Sequence, residues 1–242
     1  MKLLVINPNI SESVTRLIGD EARRAAAPGT GLTLLTAPFG VAYIETRFEA
    51  LVGAYASAQL AGEHAAAHDA VILAAFGDPG WSALREALDK PVVGLTEAAL
   101  AAAAGLGKRI GIIAISRRIA GWYREVVEGY GFGDRLASIR SLEQPIRDIG
   151  GVQEEHAARL KSLCDSAARE DGADVLILAG APLAGLARNL AGTLAVPVVD
   201  PIAAAVRQAE ALAAAPRAAP FVPQPAKANS GLPESIRRLL GS

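Results

Sequence analysis

Few of the side chains able to move a proton or hold a metal stand in a spacing that commits them to that work. His64 and His68 lie four residues apart, which puts two imidazoles on one helix face. No third ligand follows at a defined spacing, and "EHAAAHD" before a strand reads better as a solvated helix end than as a metal site. His156, in "QEEHAARL", reads as a helix-surface residue. The only cysteine, Cys164, sits in the helical stretch "LKSLCDSAARE", where a thiol packs as a small apolar group. A single cysteine also excludes an intramolecular disulfide framework and a Cys-rich zinc site. Asp78 precedes Pro79 in the turn "GDPG", a structural setting. Glu97 and Asp200 each follow a "PVV" strand, where helix capping and the macrodipole account for a carboxylate. Ser116 ends "IGIIAIS", placed either to bond a carboxylate or to cap the helix that follows. The "GLG" at 105–107 precedes a strand rather than following one, which argues against a dinucleotide fingerprint.

The elements that must position these groups alternate regularly. Short β-branched runs are expected as strands at 3–7, 32–37, 70–76, 91–95, 110–115, 136–142, 174–180 and 197–201. Most are continuous apolar runs, the mark of parallel strands covered on both faces. Ala-rich helical stretches fill the gaps, among them 11–26, 45–67, 81–88, 117–129, 152–170 and 203–215, with Ser11 or Ser13 capping the first. The tail 215–231 is rich in Pro and Ala and is expected to run extended. "LPESIRRLLG" then reads as a terminal helix, with Pro233 near its first turn and Gly241 as its stop.

Two segments repeat. "DAVILAAFGDPGWSALREALDKPVV" begins at Asp69 and "DVLILAGAPLAGLARNLAGTLAVPVV" at Asp174, the second longer by one residue. Each supplies an apolar strand, a small-residue turn, a helix and a "PVV" strand. Such duplication implies two similar lobes. Ligands of open α/β sheets sit beyond the carboxyl ends of the strands, so both turns should open onto one cleft. The last position before each turn is tiny, Ala75 in one copy and Gly180 in the other.

Composition narrows the partners. The chain has 24 Lys and Arg against 25 Asp and Glu with no basic cluster, so it lacks the electrostatic footprint of a nucleic-acid binder. The apolar run before Asn7 and Pro8 is too short for a signal-peptide core or a membrane span. A cytoplasmic chain with no membrane partner is expected.

The stretches "INPNISESVTRLI" (6–18), "TAPFGVAYIETRFEALVGAYA" (36–56), "DAVILAAFGDPGWSALREALDKPVVGLTEAAL" (69–100), "RIGIIAISRRIAGWYREVVEGYG" (109–131) and "DVLILAGAPLAGLARNLAGTLAVPVVDPIAAAV" (174–206) resemble the aspartate/glutamate/hydantoin racemase superfamily. The closest likeness is to its hydantoin and allantoin racemase branch. The resemblance implies an α/β protein of two pseudo-symmetric lobes, each a four-stranded parallel sheet flanked by helices, with the active site in the cleft between them. The duplication divides the chain into one lobe of residues 1–98 with 203–242 and another of 99–202. The resemblance implies cofactor-independent inversion of a carbon next to a carbonyl, in a small carboxylate or a cyclic amide. In the family one thiolate removes the α-proton and an opposite thiol returns one.

Carried over by position, those two cysteines fall on Ala75 and Gly180, neither of which can exchange a proton. The resemblance further places Asn7, Asn9 and Ser116 against the substrate. It makes Phe76, Gly77, Ala181 and Pro182 the walls and backbone donors of the two turns, with Pro182 lacking an N–H. Tyr43, in the segment that covers the site, becomes the candidate proton donor. Three readings follow: a racemase-family enzyme, a descendant with lyase or decarboxylase chemistry that needs one proton donor, or a small-molecule binding protein without catalysis. The expected partner is a small molecule, with no cofactor and no metal, in a homo-oligomer.

Overall fold

The structure, a computed structural model, describes residues 1–144, 146–216, 221–222 and 225–241. Part of the Pro-rich tail, 217–220 and 223–224, lies outside the described residues. Eight strands form two parallel sheets of the same connectivity. The first contains β1 (Lys2–Asn7), β2 (Gly31–Thr36), β3 (Ala70–Leu73) and β4 (Val92–Gly94) in the order β2-β1-β3-β4. The second contains β5 (Ile110–Ala114), β6 (Leu136–Ser141), β7 (Val175–Ala179) and β8 (Val198–Val199) in the order β6-β5-β7-β8. The continuous apolar runs hold the middle of each sheet: β3, β5 and β7 are buried along their whole length, and β1 apart from its first residue. The edge strands β2 and β6 are only half-buried. Packing on both faces thus selects the β-branched composition of the central strands.

Helices α1 (Glu12–Ala25), α2 (Arg47–His64), α3 (Trp81–Ala87) and α4 (Leu95–Leu106) accompany the first sheet; α5 (Ala120–Gly129), α6 (Val152–Glu155), α7 (Ala157–Arg169) and α8 (Leu186–Leu190) accompany the second. The Ser11 hydroxyl accepts from Val14 N and caps α1, while Thr46 and Glu49 form a reciprocal capping box at the start of α2. Three expected helices differ in detail. The 45–67 stretch ends in a 3₁₀ turn over Ala65–Ala67, and 117–129 begins with one over Arg117–Ile119. The 152–170 stretch breaks at His156, whose φ of −117° and ψ of 20° separate α6 from α7. Strand β3 stops at Leu73, short of the expected Phe76, although Ala74 N still donates to Ile6 O. None of the described helices is long and apolar enough to cross a membrane.

Helix α9 (Pro201–Ala214) is capped by Asp200, whose carboxylate accepts from Ile202 N, Ala203 N and Gly185 N. It packs against α1, α4, β3 and β4. The terminal α10 (Glu234–Leu239) returns onto α2. There the backbone of Ser235 approaches Gly62 so closely that a Cβ would collide with its carbonyl. Gly62→Ala is therefore expected to lift α10 and cost about 1–3 kcal/mol of stability. Thermal unfolding would show the loss, together with faster amide exchange confined to 234–239; an unchanged midpoint would contradict the packing.

Candidate functional site

The two repeated turns come together on one cavity. Its walls include Asn9, Tyr43, Ala75, Phe76, Tyr123, Gly180, Ala181 and Pro182, and Ile44, Ile115 and Ile119 make it largely apolar. Its volume is small, about 30 Å³. Beside it lies a second cavity of about 320 Å³, bordered by Glu45, Ser116, Arg117, Arg118 and Leu142. Tyr43 lines both cavities. A larger groove of about 490 Å³, between Lys90, Pro91, Leu212 and Phe221, is bordered by none of these turn residues.

Backbone geometry defines what the cavity offers. Gly180 adopts φ +116°, a conformation that L side chains rarely take. In the first turn Gly77 N donates to Thr96 Oγ1 at 2.6 Å and Asp78 N to Ala75 O at 3.2 Å. In the second, Leu183 N donates to Gly180 O and Ala184 N to Ala181 O, both at 3.0 Å. Among the described residues, the N–H groups of Ala75, Phe76, Gly180 and Ala181 find no protein acceptor. Two turns of one design thus leave two free donors each. Gly77, expected among the donors, has its N–H already engaged, and a Cβ there would collide with the Trp122 ring.

The two asparagines separate in role. Asn7 is 1% exposed, and its Nδ2 faces Asn9 Oδ1, Ser11 O and Thr15 Oγ1 while its Oδ1 accepts from Asn9 N. It does not line the cavity; it fixes Asn9. Asn9 Oδ1 is held by Asn7 Nδ2 and Ser11 N, which leaves Asn9 Nδ2 as a further free donor on the cavity wall among the described residues. The resemblance places both asparagines against the substrate; in the structure Asn9 lines the cavity and Asn7 lies behind it. Ser116 caps the 3₁₀ turn through Arg118 N and borders the larger cavity instead.

Of the titratable groups, Tyr43 is held above the usual phenol range by burial and by the charges of Glu45 and Glu49. It is a protonated donor, not a base, at neutral pH. Tyr123, whose ring lies 4.8 Å from that of Phe76 and tilted to it, is raised further by burial and then by Asp78. Tyr123 is not among the residues singled out from the sequence; it lies within "RIGIIAISRRIAGWYREVVEGYG", one of the stretches that carry the resemblance. Asp78 is buried behind the first turn, where its carboxylate accepts from Thr96 N, Glu97 N and Tyr130 Oη at 2.9, 3.0 and 2.8 Å. Burial pushes it up to about 6 against the pull of those donors. Glu97 pairs with Arg85 at 2.9 Å. His68 is bound to His64 O and Thr33 Oγ1. Cys164 is buried in α7, outside the cavity, and burial pushes its thiol up to about 12.

Two parallel sheets of identical order with a cavity between their repeated turns define a pseudo-symmetric α/β racemase fold. The sequence model of the Asp/Glu/hydantoin racemase family matches residues 3–209, and the chain belongs to that family. It is 38% identical to the hydantoin racemase of Paenarthrobacter aurescens, over 88% of this chain and 92% of that one. Its structure is similar to the allantoin racemase from Klebsiella pneumoniae, with a TM-score of 0.85 and 32% identity over 88% of each chain. The allantoin racemase from Pseudomonas fluorescens is similar as well, with a TM-score of 0.79 and 33% identity over 88% of this chain and 90% of that one.

Proposed function

We propose that this racemase-family chain holds a small carboxylate or a cyclic amide of the hydantoin type across the two turns, and that it does not invert its ligand by a thiol pair. In this reading residues 1–98 with 203–242 form one lobe and 99–202 the other. The carbon next to the ligand carbonyl lies between Ala75 and Gly180. The observation that carries the reading is that one cavity is walled by both tips while the chain's only cysteine, Cys164, lies elsewhere. The free N–H groups of Ala75, Phe76, Gly180 and Ala181, with Asn9 Nδ2, are donors suited to a carbonyl, a carboxylate or the enolate derived from them. Inversion needs a base on one face and an acid on the other, and neither Ala75 nor Gly180 supplies one.

Calorimetric titration with a 5-substituted hydantoin should show saturable binding, weakened about tenfold in Asn9→Leu. Polarimetry should show no inversion above the buffer rate. Iodoacetamide should leave binding unchanged, because Cys164 is buried and its thiolate is disfavoured. Inversion that disappears as Cys164 is alkylated would overturn the reading.

One observation supports a second reading. Tyr43 is kept protonated at the cavity wall, and loss of carbon dioxide from a malonate-type acid needs a proton donor but no base. Carbon dioxide release that is abolished in Tyr43→Phe would establish lyase chemistry in place of binding alone.

A further inference from the structure

We infer that Gln153 is a positioning residue for the second turn, whose N–H groups at Gly180 and Ala181 have no protein acceptor among the described residues and belong to the cavity wall. The inference rests on the reading that both turns hold one ligand. The turns are alike in sequence but not in anchorage. Set side by side, the copies place Pro182 opposite Gly77, Leu183 opposite Asp78 and Ile202 opposite Thr96. The first turn is tied down from within the repeat. Gly77 N donates to Thr96 Oγ1, and the Asp78 carboxylate accepts from Thr96 N and Glu97 N. The second copy lacks the corresponding groups: Pro182 has no N–H, Leu183 no carboxylate and Ile202 no hydroxyl. Asp200 replaces the helix cap, accepting from Ile202 N and Ala203 N, and takes Gly185 N at 2.6 Å. That secures the far end of the turn alone.

Gln153 supplies the missing tie from outside the repeat. It lies on α6, and its Nε2 donates to Pro182 O and to Ala184 O, both at 2.9 Å. An amide nitrogen has two hydrogens, and both are spent on this turn. Since both partners are carbonyls, only the nitrogen of the side-chain amide can face them. The position of Gln153 is set by the core, because its neighbour Val152 is fully buried. Three links lead from it to the cavity. Pro182 O shares a peptide plane with Leu183 N, Leu183 N donates to Gly180 O, and Gly180 O shares a plane with the free Ala181 N. Likewise Ala184 O shares a plane with Gly185 N, so Gln153 and Asp200 grip one peptide from its two ends. Peptides bonded in series polarise one another, so these bonds both aim the Ala181 N–H and strengthen it as a donor.

Gln153→Met and Gln153→Glu keep the length of the side chain, so a residue that only fills space would tolerate both. Neither replacement donates a hydrogen bond at neutral pH, and the carboxylate would face two carbonyl oxygens. In the ligand-free ¹⁵N-labelled protein each is expected to shift the amide resonances of Ala181, Leu183 and Ala184. Hydrogen exchange of the Leu183 and Ala184 N–H groups should quicken at least ~10-fold. The resonances of Ala75, Phe76 and Gly77 should stay in place, with an unchanged circular dichroism spectrum. Titration with 5-methylhydantoin should then show binding weakened about tenfold, with Ala75 and Phe76 still responding to the ligand. Second-turn amides that match the parent's in both variants, or a hydantoin affinity equal to the parent's in both, would overturn the inference. A parent that binds no hydantoin would overturn the proposed function instead, and the ligand-free exchange rates would then decide whether Gln153 holds the turn.

Discussion

Ala75→Cys combined with Gly180→Cys is expected to exchange the α-proton of a 5-substituted hydantoin with solvent deuterium at least ~10²-fold faster than the parent, the usual yield of a positioned acid or base. The N–H groups beside each tip are already free, and they both lower a thiol's pKa and receive the developing oxyanion. The two substitutions differ in cost. At Gly180 a Cβ meets nothing nearer than Pro182 Cδ at 3.6 Å, so room exists, but φ +116° imposes about 1–3 kcal/mol of backbone strain. Ala75 already carries a Cβ in an ordinary conformation, and Ala75→Cys alone should exchange the proton without inverting the centre. Mass spectrometry of the recovered substrate reads the exchange and polarimetry the inversion. A double variant that folds, binds the hydantoin and exchanges no faster than the parent would show that the tips do not flank the reacting carbon.

Asp78→Asn is expected to alter how stability depends on pH. Burial raises the Asp78 carboxyl from 3.8 to about 6, so the folded state binds its proton more tightly than the unfolded chain does. Between those values the native protein carries the extra proton, and this group's contribution to stability falls as pH rises. The full swing is about 3 kcal/mol. At pH 7 the ionised carboxylate still accepts from Thr96 N, Glu97 N and Tyr130 Oη. The amide introduced by the substitution would turn an N–H₂ toward one of those donors, a loss of about 1–3 kcal/mol. Urea unfolding from pH 4 to 7.5 should show the parent gaining on Asp78→Asn as pH falls. A constant gap between the two would mean that Asp78 does not titrate in this range.

The strand pattern was legible because the central strands must be apolar on both faces, and that leaves an unbroken signature such as "VLILAG". The repeat was legible because both copies keep a strand, a small-residue turn and "PVV" in register. What escaped reading depends on atoms distant in sequence. Nothing local shows that Gly77 N is taken by Thr96 Oγ1 nineteen residues on, or that Gly62 admits the backbone of Ser235. An asparagine in "INPN" looks equally suited to binding a ligand and to holding a turn; only the partners Ser11 and Thr15 show that Asn7 does the second. Tyr123 is a buried helix residue, yet the meeting of the two turns makes it a wall of the cavity as well.

The most direct test of the central claim follows the backbone amide resonances of Ala75, Phe76, Gly180 and Ala181 in the ¹⁵N-labelled protein as a 5-substituted hydantoin is added. All four are expected to shift together and to saturate with a single affinity, because both turns donate to one ligand. Shifts confined to one turn, or centred instead on the groove between Lys90 and Leu212, would contradict a ligand held between the two tips.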